Sequence, residues 1–142
     1  MKTFLPQPDR LDKKWYVVSA ENQVLGRLAT RVAALLMGKT KPWYVDFLDT
    51  GDFVIVVDAQ KVRLTGRKWD QKKYYSHSGY PGGLRERTAR ELRQKHSDRL
   101  IRSAVKGMLP KNKLGDKMLR KLKVYAGDQH PHQAQRPEAL NL

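Results

Sequence analysis

Apolar residues come in short blocks whose period changes along the chain. Trp15-Tyr16-Val17-Val18 is a β-type run and predicts a strand. Leu25, Leu28, Ala29, Val32, Leu35 and Leu36 then recur at helical spacing up to a stop at Gly38, with Arg27 and Arg31 on the opposite side of the wheel. Phe53-Val54-Ile55-Val56-Val57 is a continuous apolar run of strand length, which implies burial on both faces in a parallel sheet. Strand, amphipathic helix and buried strand make a βαβ unit, with Pro42 and Gly51 marking the connection.

After Asp58 the pattern weakens. Lys61 to Leu64 reads as a short helical turn, Thr65 to Lys68 as a loop, Lys72 to Ser76 as a third strand, and Gly79-Tyr80-Pro81-Gly82-Gly83 as a loop. Thr88-Ala89-Arg90-Glu91 fits a capping box that opens a helix. A second helix is expected near Asp98 with Ser97 as its cap. It places Leu100, Ile101, Ala104, Val105 and Met108 on one arc and Arg99, Arg102 and Lys106 on the other. Pro110 ends it. Asn112 caps a last helix expected to run to Lys123, with Lys113, Lys117, Arg120 and Lys121 set against Leu114, Met118, Leu119 and Leu122. Val124-Tyr125 is expected to close the sheet. The organisation that follows is an N-terminal arm over 1–13, a single α/β domain over 14–127 and a Pro- and His-containing tail over 128–142.

Length fits this division, because 142 residues normally form one domain that buries about 70% of its unfolded surface. The chain has no cysteine, which excludes disulfides and thiolate chemistry and suits a reducing cytosol. Neither a signal peptide nor a membrane span is visible, so no membrane partner is expected.

Charge changes the picture more. Between Arg85 and Lys123 fourteen Lys or Arg residues meet only Glu86, Glu91, Asp98 and Asp116, a local net charge of +10 out of +15 for the whole chain. Such a density repels itself unless a polyanion neutralises it. A surface built only for solubility would interleave both signs. The expected partner is therefore a nucleic acid, held by Arg99, Arg102, Lys106, Lys111, Lys113, Lys117, Arg120, Lys121 and Lys123. Upstream, Trp69, Tyr74, Tyr75, His77 and Tyr80 lie among Arg67, Lys68, Lys72 and Lys73. Rings beside cations stack on unpaired bases while the cations hold phosphates, as in RNA loops and bulges. Arg67, Lys68, Lys72, Tyr74, Tyr75, His77 and Tyr80 complete the expected RNA-binding set. Strand alternation turns one of Tyr74 and Tyr75 inward.

Enzyme signatures fail. Gly38-Lys39-Thr40 has the end of a phosphate loop, but position 33 is Ala33 and the helix precedes the glycine, so it reads as a helix terminus. The loop after the first strand carries only Gly26, which leaves Asp58 and the βαβ pattern without a dinucleotide fingerprint. His130 and His132 lack acidic or cysteine companions for a metal, and His96-Ser97-Asp98 is adjacent in sequence rather than arranged as a triad. No catalytic residue, metal, cofactor or small-molecule substrate is assigned.

Val105-Lys106-Gly107-Met108-Leu109-Pro110, Lys111-Asn112-Lys113-Leu114-Gly115 and Met118-Leu119-Arg120-Lys121-Leu122-Lys123-Val124-Tyr125-Ala126-Gly127 resemble the signature of the bacterial large-subunit ribosomal protein L-thirteen family. Asp12 to Val18, Leu25 to Thr30, Val62 to Gly66, Tyr74-Tyr75, His77 to Gly83 and His130-Pro131-His132 are similar to the same pattern, so the likeness covers nearly the whole chain. Two positions depart from it, Asp116 and Ser76, where the family pattern carries basic residues. The resemblance implies a three-layer α/β/α domain around a four-stranded parallel sheet, with basic helices and extended arms. It also implies a non-enzymatic role in the cytoplasmic ribosome, binding large-subunit ribosomal RNA beside neighbouring ribosomal proteins and supporting early subunit assembly. A basic chromosomal DNA-binding protein is the competing reading of the charge, without helix-turn-helix spacing to favour it. A nucleotide-hydrolysing α/β enzyme is the competing reading of the sheet.

Overall fold

The branched and aromatic run at Trp15–Ser19 forms β1, and the apolar stripe at Leu25–Met37 forms α1. The computed structural model in which they are seen describes residues 2–142. Gly38 closes α1 in the left-handed conformation at φ 81°, its N–H donating to the carbonyls of Ala34 and Leu35. A side chain at that φ is strained, and glycine removes the penalty. β2 is Phe53–Val57, parallel to β1 in the register Trp15 to Phe53 through Ser19 to Val57.

The chain then leaves the sheet. The turn expected over Lys61 to Leu64 falls earlier, at Ala59–Lys61, and Arg63 makes an isolated parallel bridge to Val24. The loop expected through Lys68 ends one residue sooner, because Lys68–Gln71 is a short helix, α2. The expected third strand exists as β3, Lys73–His77, but it pairs antiparallel with β4, Leu84–Thr88, in a separate two-stranded hairpin.

α3 spans Ala89–Met108 with a break at His96 (φ −146°, ψ 73°). Thr88 caps its start by accepting the Glu91 N–H, as the capping box predicts. The break moves the second segment's start ahead of Asp98 and leaves Ser97 buried inside it rather than exposed as a cap. Leu100, Ile101 and Val105 pack inward, whereas Met108, expected on the same arc, is exposed. α4 is Lys113–Arg120, with the Asn112 side chain accepting the Gly115 N–H at 2.8 Å.

The helix expected to reach Lys123 stops at Arg120, and Leu122–Val124 forms β5 beside β2. β6, Glu138–Ala139, adds to the free side of β1, so the parallel sheet runs β5-β2-β1-β6 and takes its fourth strand from the C-terminal segment. Tyr125, expected in the closing strand, follows β5 and donates its N–H to the Val56 carbonyl.

Val18, Val54 and Val56 face the core formed with α1, α3 and α4. On the other sheet face Trp15 stacks on Phe53 at 4.3 Å, and His132 lies against Trp15. The result is an α/β domain in three layers: helices, a four-stranded parallel sheet, and the C-terminal segment with its helical turn at Gln133–Gln135.

That last layer is fastened by His132, whose Nε2 is 2.6 Å from the Tyr125 hydroxyl. The histidines read as a polar tail from sequence are thus packed against it. Partial burial, with His130 and Lys123 nearby, holds the His132 pKa below its ordinary 6.5. As pH falls through that value the unfolded chain takes up the proton before the folded one, so acidification lowers stability in this window. Thermal melts between about pH 7.5 and about pH 5.5 should show a decline that is smaller in His132→Gln. Equal declines in both proteins would exclude His132 as its source.

Candidate nucleic-acid interface

The second segment of α3 sets Arg99, Arg102 and Lys106 in one exposed stripe, while Leu100, Ile101 and Val105 hold the opposite side against the core. α4 repeats this sidedness: Lys113 and Lys117 are exposed and Met118 is buried. None of these five cations joins an ion pair among the described residues. Their charge is therefore unpaired among the described residues.

Other expected residues join this surface. Lys111 donates from Nζ to the Lys106 and Gly107 carbonyls at 3.2 and 3.3 Å, placing its charge at the α3 C-terminus, where the helix dipole favours a cation. Lys106 and Lys111 share a cleft with Asp116 in the α3–α4 turn. On the neighbouring side of α3 an open cleft of ≈ 810 Å³ is bounded by Lys68, Lys72, Ser103 and Met108, and by Gly26 and Arg27 from the start of α1. Sequence reasoning placed Arg27 on a solvated face but did not see that the fold brings it beside Lys68 and Lys72. Non-local contacts create that neighbourhood: the Val24–Arg63 bridge and the Leu25 N–H donating to the Arg63 carbonyl hold the start of α1 beside the chain leading to α2.

The hairpin carries the aromatic members. Directly opposed antiparallel residues share a face. Tyr75 and His77 therefore lie with Glu86 and Leu84, while Tyr74 and Ser76 lie with Arg87 and Arg85. Tyr75 is 63% exposed and Tyr80, in the connecting loop, 76%. Tyr74 is the inward member of the pair. It packs on the core, its hydroxyl is buried without a partner, and that burial raises its pKa. Trp69 is also a packing residue, with the Arg93 guanidinium 4.9 Å above its ring. Arg67 is exposed at the start of α2. Lys73 is engaged with Glu86 at 3.0 Å, an exposed cross-strand pair that raises its pKa through the hydrogen bond and the opposite charge.

Two expected residues, Lys121 and Lys123, stand apart. Lys121 is only 5% exposed. It donates to the Leu36 carbonyl at 3.2 Å and to the Asp49 carboxylate, so it is an interior strut and not a surface contact. The helical wheel failed here because α4 ends at Arg120 and the chain turns inward at the next residue. Burial lowers the Lys121 pKa from its ordinary value, and Asp49 opposes that shift. Lys123 is half-buried in β5 on the sheet face that carries His132. Arg120 is exposed at the end of α4.

The features suggestive of enzymes also resolve into structure. Asp58 accepts a hydrogen bond from the Ser19 hydroxyl at 3.2 Å and lies 3.9 Å from Lys61. Gly38 is the α1 terminus. Among the described residues no group of three or more His, Asp or Glu is placed to hold a metal, and no helix is long and apolar enough to cross a membrane.

A family model described as Ribosomal protein L13 matches residues 13–131. The chain is 62% identical over 141 residues to the large ribosomal subunit protein uL13 of Thermotoga petrophila, covering 99% of this chain and 95% of that one. The large ribosomal subunit protein uL13 of Desulfotalea psychrophila is 55% identical over 142 residues, with both chains fully covered, and that of Aquifex aeolicus is 54% identical over 142 residues, covering 100% of this chain and 99% of that one. The chain belongs to the ribosomal protein L13 family, a family of structural ribosomal proteins and not of enzymes.

Proposed function

We propose that the chain is a structural constituent of the large subunit of the cytoplasmic ribosome, that it binds large-subunit ribosomal RNA, and that it supports early subunit assembly beside neighbouring ribosomal proteins. The observation that carries the binding role is the paired sidedness of α3 and α4, whose Arg99, Arg102, Lys106, Lys113 and Lys117 face solvent and form no ion pair among the described residues. Membership of the ribosomal protein L13 family supports ribosomal RNA as the nucleic acid bound. The proposed contact set comprises these five with Arg67, Lys68, Lys72, Lys111 and Arg120 as phosphate ligands. Tyr75, His77 and Tyr80 supply stacking surfaces for unpaired bases. Assembly support follows from the same arrangement, because a rigid cationic surface offsets the repulsion between RNA segments that must approach each other.

A competition titration at physiological salt tests the choice of nucleic acid. Folded large-subunit ribosomal RNA should outcompete a DNA duplex of equal charge by at least about tenfold, because shape and stacking add to the common phosphate term. Equal competition would favour a chromosomal protein that binds through charge alone.

A further inference from the structure

The open cleft between the start of α1, the chain leading into α2 and the end of α3 sets an apolar wall among cations. Its charged members are Arg27, Lys68 and Lys72, all exposed, and none joins an ion pair among the described residues. Lys68 donates to the Thr65 hydroxyl at 3.2 Å and the Lys72 ammonium lies 5.6 Å from the centre of the Tyr74 ring, contacts that leave both charges unneutralised. No Asp or Glu lines the cleft among the described residues. The wall is formed by Leu64 and Ala104, both half-buried, and by Met108, which is 42% exposed with its sulfur 3.6 Å from the Thr30 hydroxyl across the α1–α3 junction.

Two glycines keep this space open. Gly26 in α1 and Gly107 in α3 both line the cleft, neither has a positive φ, and a Cβ at either would meet nothing within 4 Å. Glycine within a helix is less favourable than alanine, so neither backbone conformation nor packing accounts for these two residues. A side chain at either position would instead take up part of the cleft. Its volume of ≈ 810 Å³ falls within the range of about 300–1,000 Å³ that holds small ligands.

The occupant must bring negative charge to the cations and a flat apolar face to the wall. A duplex offers only the charge, because its bases stay stacked and paired; an unpaired nucleotide offers both. Its phosphate suits Arg27, Lys68 and Lys72, and its base suits Leu64 and the polarizable sulfur of Met108. The hydroxyls of Thr65 and Ser103 in the same cleft can pair with a base edge or a ribose 2′-OH. Gly107 directly follows Lys106, so the cleft also continues the exposed stripe of α3.

We infer that this cleft is a single-nucleotide site, and that it takes one unpaired nucleotide turned out of folded ribosomal RNA. The inference rests on the proposed binding of that RNA by the chain. It adds to the helical stripes, which meet phosphates only, a place where the fold of the RNA is read.

Filling the cleft without changing any charge tests it. Gly26→Leu with Gly107→Leu should melt at or above the wild-type temperature, because leucine is the better helix former and meets open space at both positions. Its affinity for folded large-subunit ribosomal RNA at physiological salt should fall about tenfold or more, the order lost when one base is stripped of its stacking surface. Unchanged affinity in a variant that melts normally would overturn the inference. Failure of the wild type to bind this RNA would instead overturn the reading on which the inference rests. A second measurement places p-benzoylphenylalanine at Met108 in the full chain, irradiated on the folded RNA. The expected product is a link that maps to one unpaired nucleotide; links to paired nucleotides, or no link from a protein that binds the RNA, would overturn the inference. Binding of free nucleoside monophosphates at this cleft that bound ribosomal RNA does not displace would overturn it as well, by assigning the space to a soluble nucleotide.

Discussion

Lys121→Ala should lower folding stability by about 2–4 kcal/mol while leaving the intrinsic affinity for RNA unchanged. Removing one member of a buried ion pair costs about 3–5 kcal/mol, because the partner is left desolvated and unpaired. The value here sits lower because Asp49 keeps Lys13 at 3.6 Å and is itself 15% exposed. The Leu36 carbonyl near the end of α1 also loses its donor. Lys121→Met with Asp49→Leu should recover most of the loss, since removing both charges leaves neither stranded. Denaturant melts of the two single variants and the double variant decide this, and additive losses would show that the pair is not coupled. A Lys121→Ala protein that melts like wild type but binds RNA weakly would return Lys121 to the surface role that its sequence position suggested.

Lys121 also shows where sequence reading reached its limit. Its neighbours Arg120 and Lys123 carry the same charge, and nothing local distinguishes a lysine that faces solvent from one that turns inward to meet Asp49, 72 residues away. Elements held together by local physics were legible. The α1 stripe, the double-sided burial of β2, and the caps at Thr88 and Asn112 each follow from periodicity or from a side chain meeting a nearby N–H. β4 was not legible, because Leu84-Arg85-Glu86-Arg87-Thr88 lies in a mostly exposed hairpin and so lacks an apolar period. β6 has only two residues and exists through its pairing with β1. The break at His96 lies two residues before the second helix start expected near Asp98, so the division of α3 was legible from its polar residues while its exact place was set by the packing of Ser97.

For the candidate interface the helical stripes at Arg99, Arg102 and Lys106 and at Lys113 and Lys117 emerged from spacing alone. The choice between Tyr74 and Tyr75 needed the fold, as did the recruitment of Arg27. Both depend on which side of the hairpin or loop meets the core.

The second large effect concerns salt. If the α3 and α4 side neutralises roughly six to ten phosphates, affinity for large-subunit ribosomal RNA should fall by about 10³–10⁵ between about 50 and about 200 mM monovalent salt. The logarithmic slope resolves which residues are responsible, since each phosphate contact contributes about 0.7 in single strands and about 0.9 in duplex. Replacing Arg99, Arg102, Lys106, Lys113 and Lys117 together by alanine keeps helix propensity and disturbs no ion pair among the described residues, so the melting temperature should stay near that of the wild type.

The most direct measurement is therefore the dependence of log affinity on log salt for the wild type and this variant, each titrated against folded large-subunit ribosomal RNA. The variant's slope should be shallower by about 3.5–4.5, with affinity reduced throughout at low salt. Equal slopes in two equally stable proteins would contradict the assignment of RNA binding to this side of the molecule.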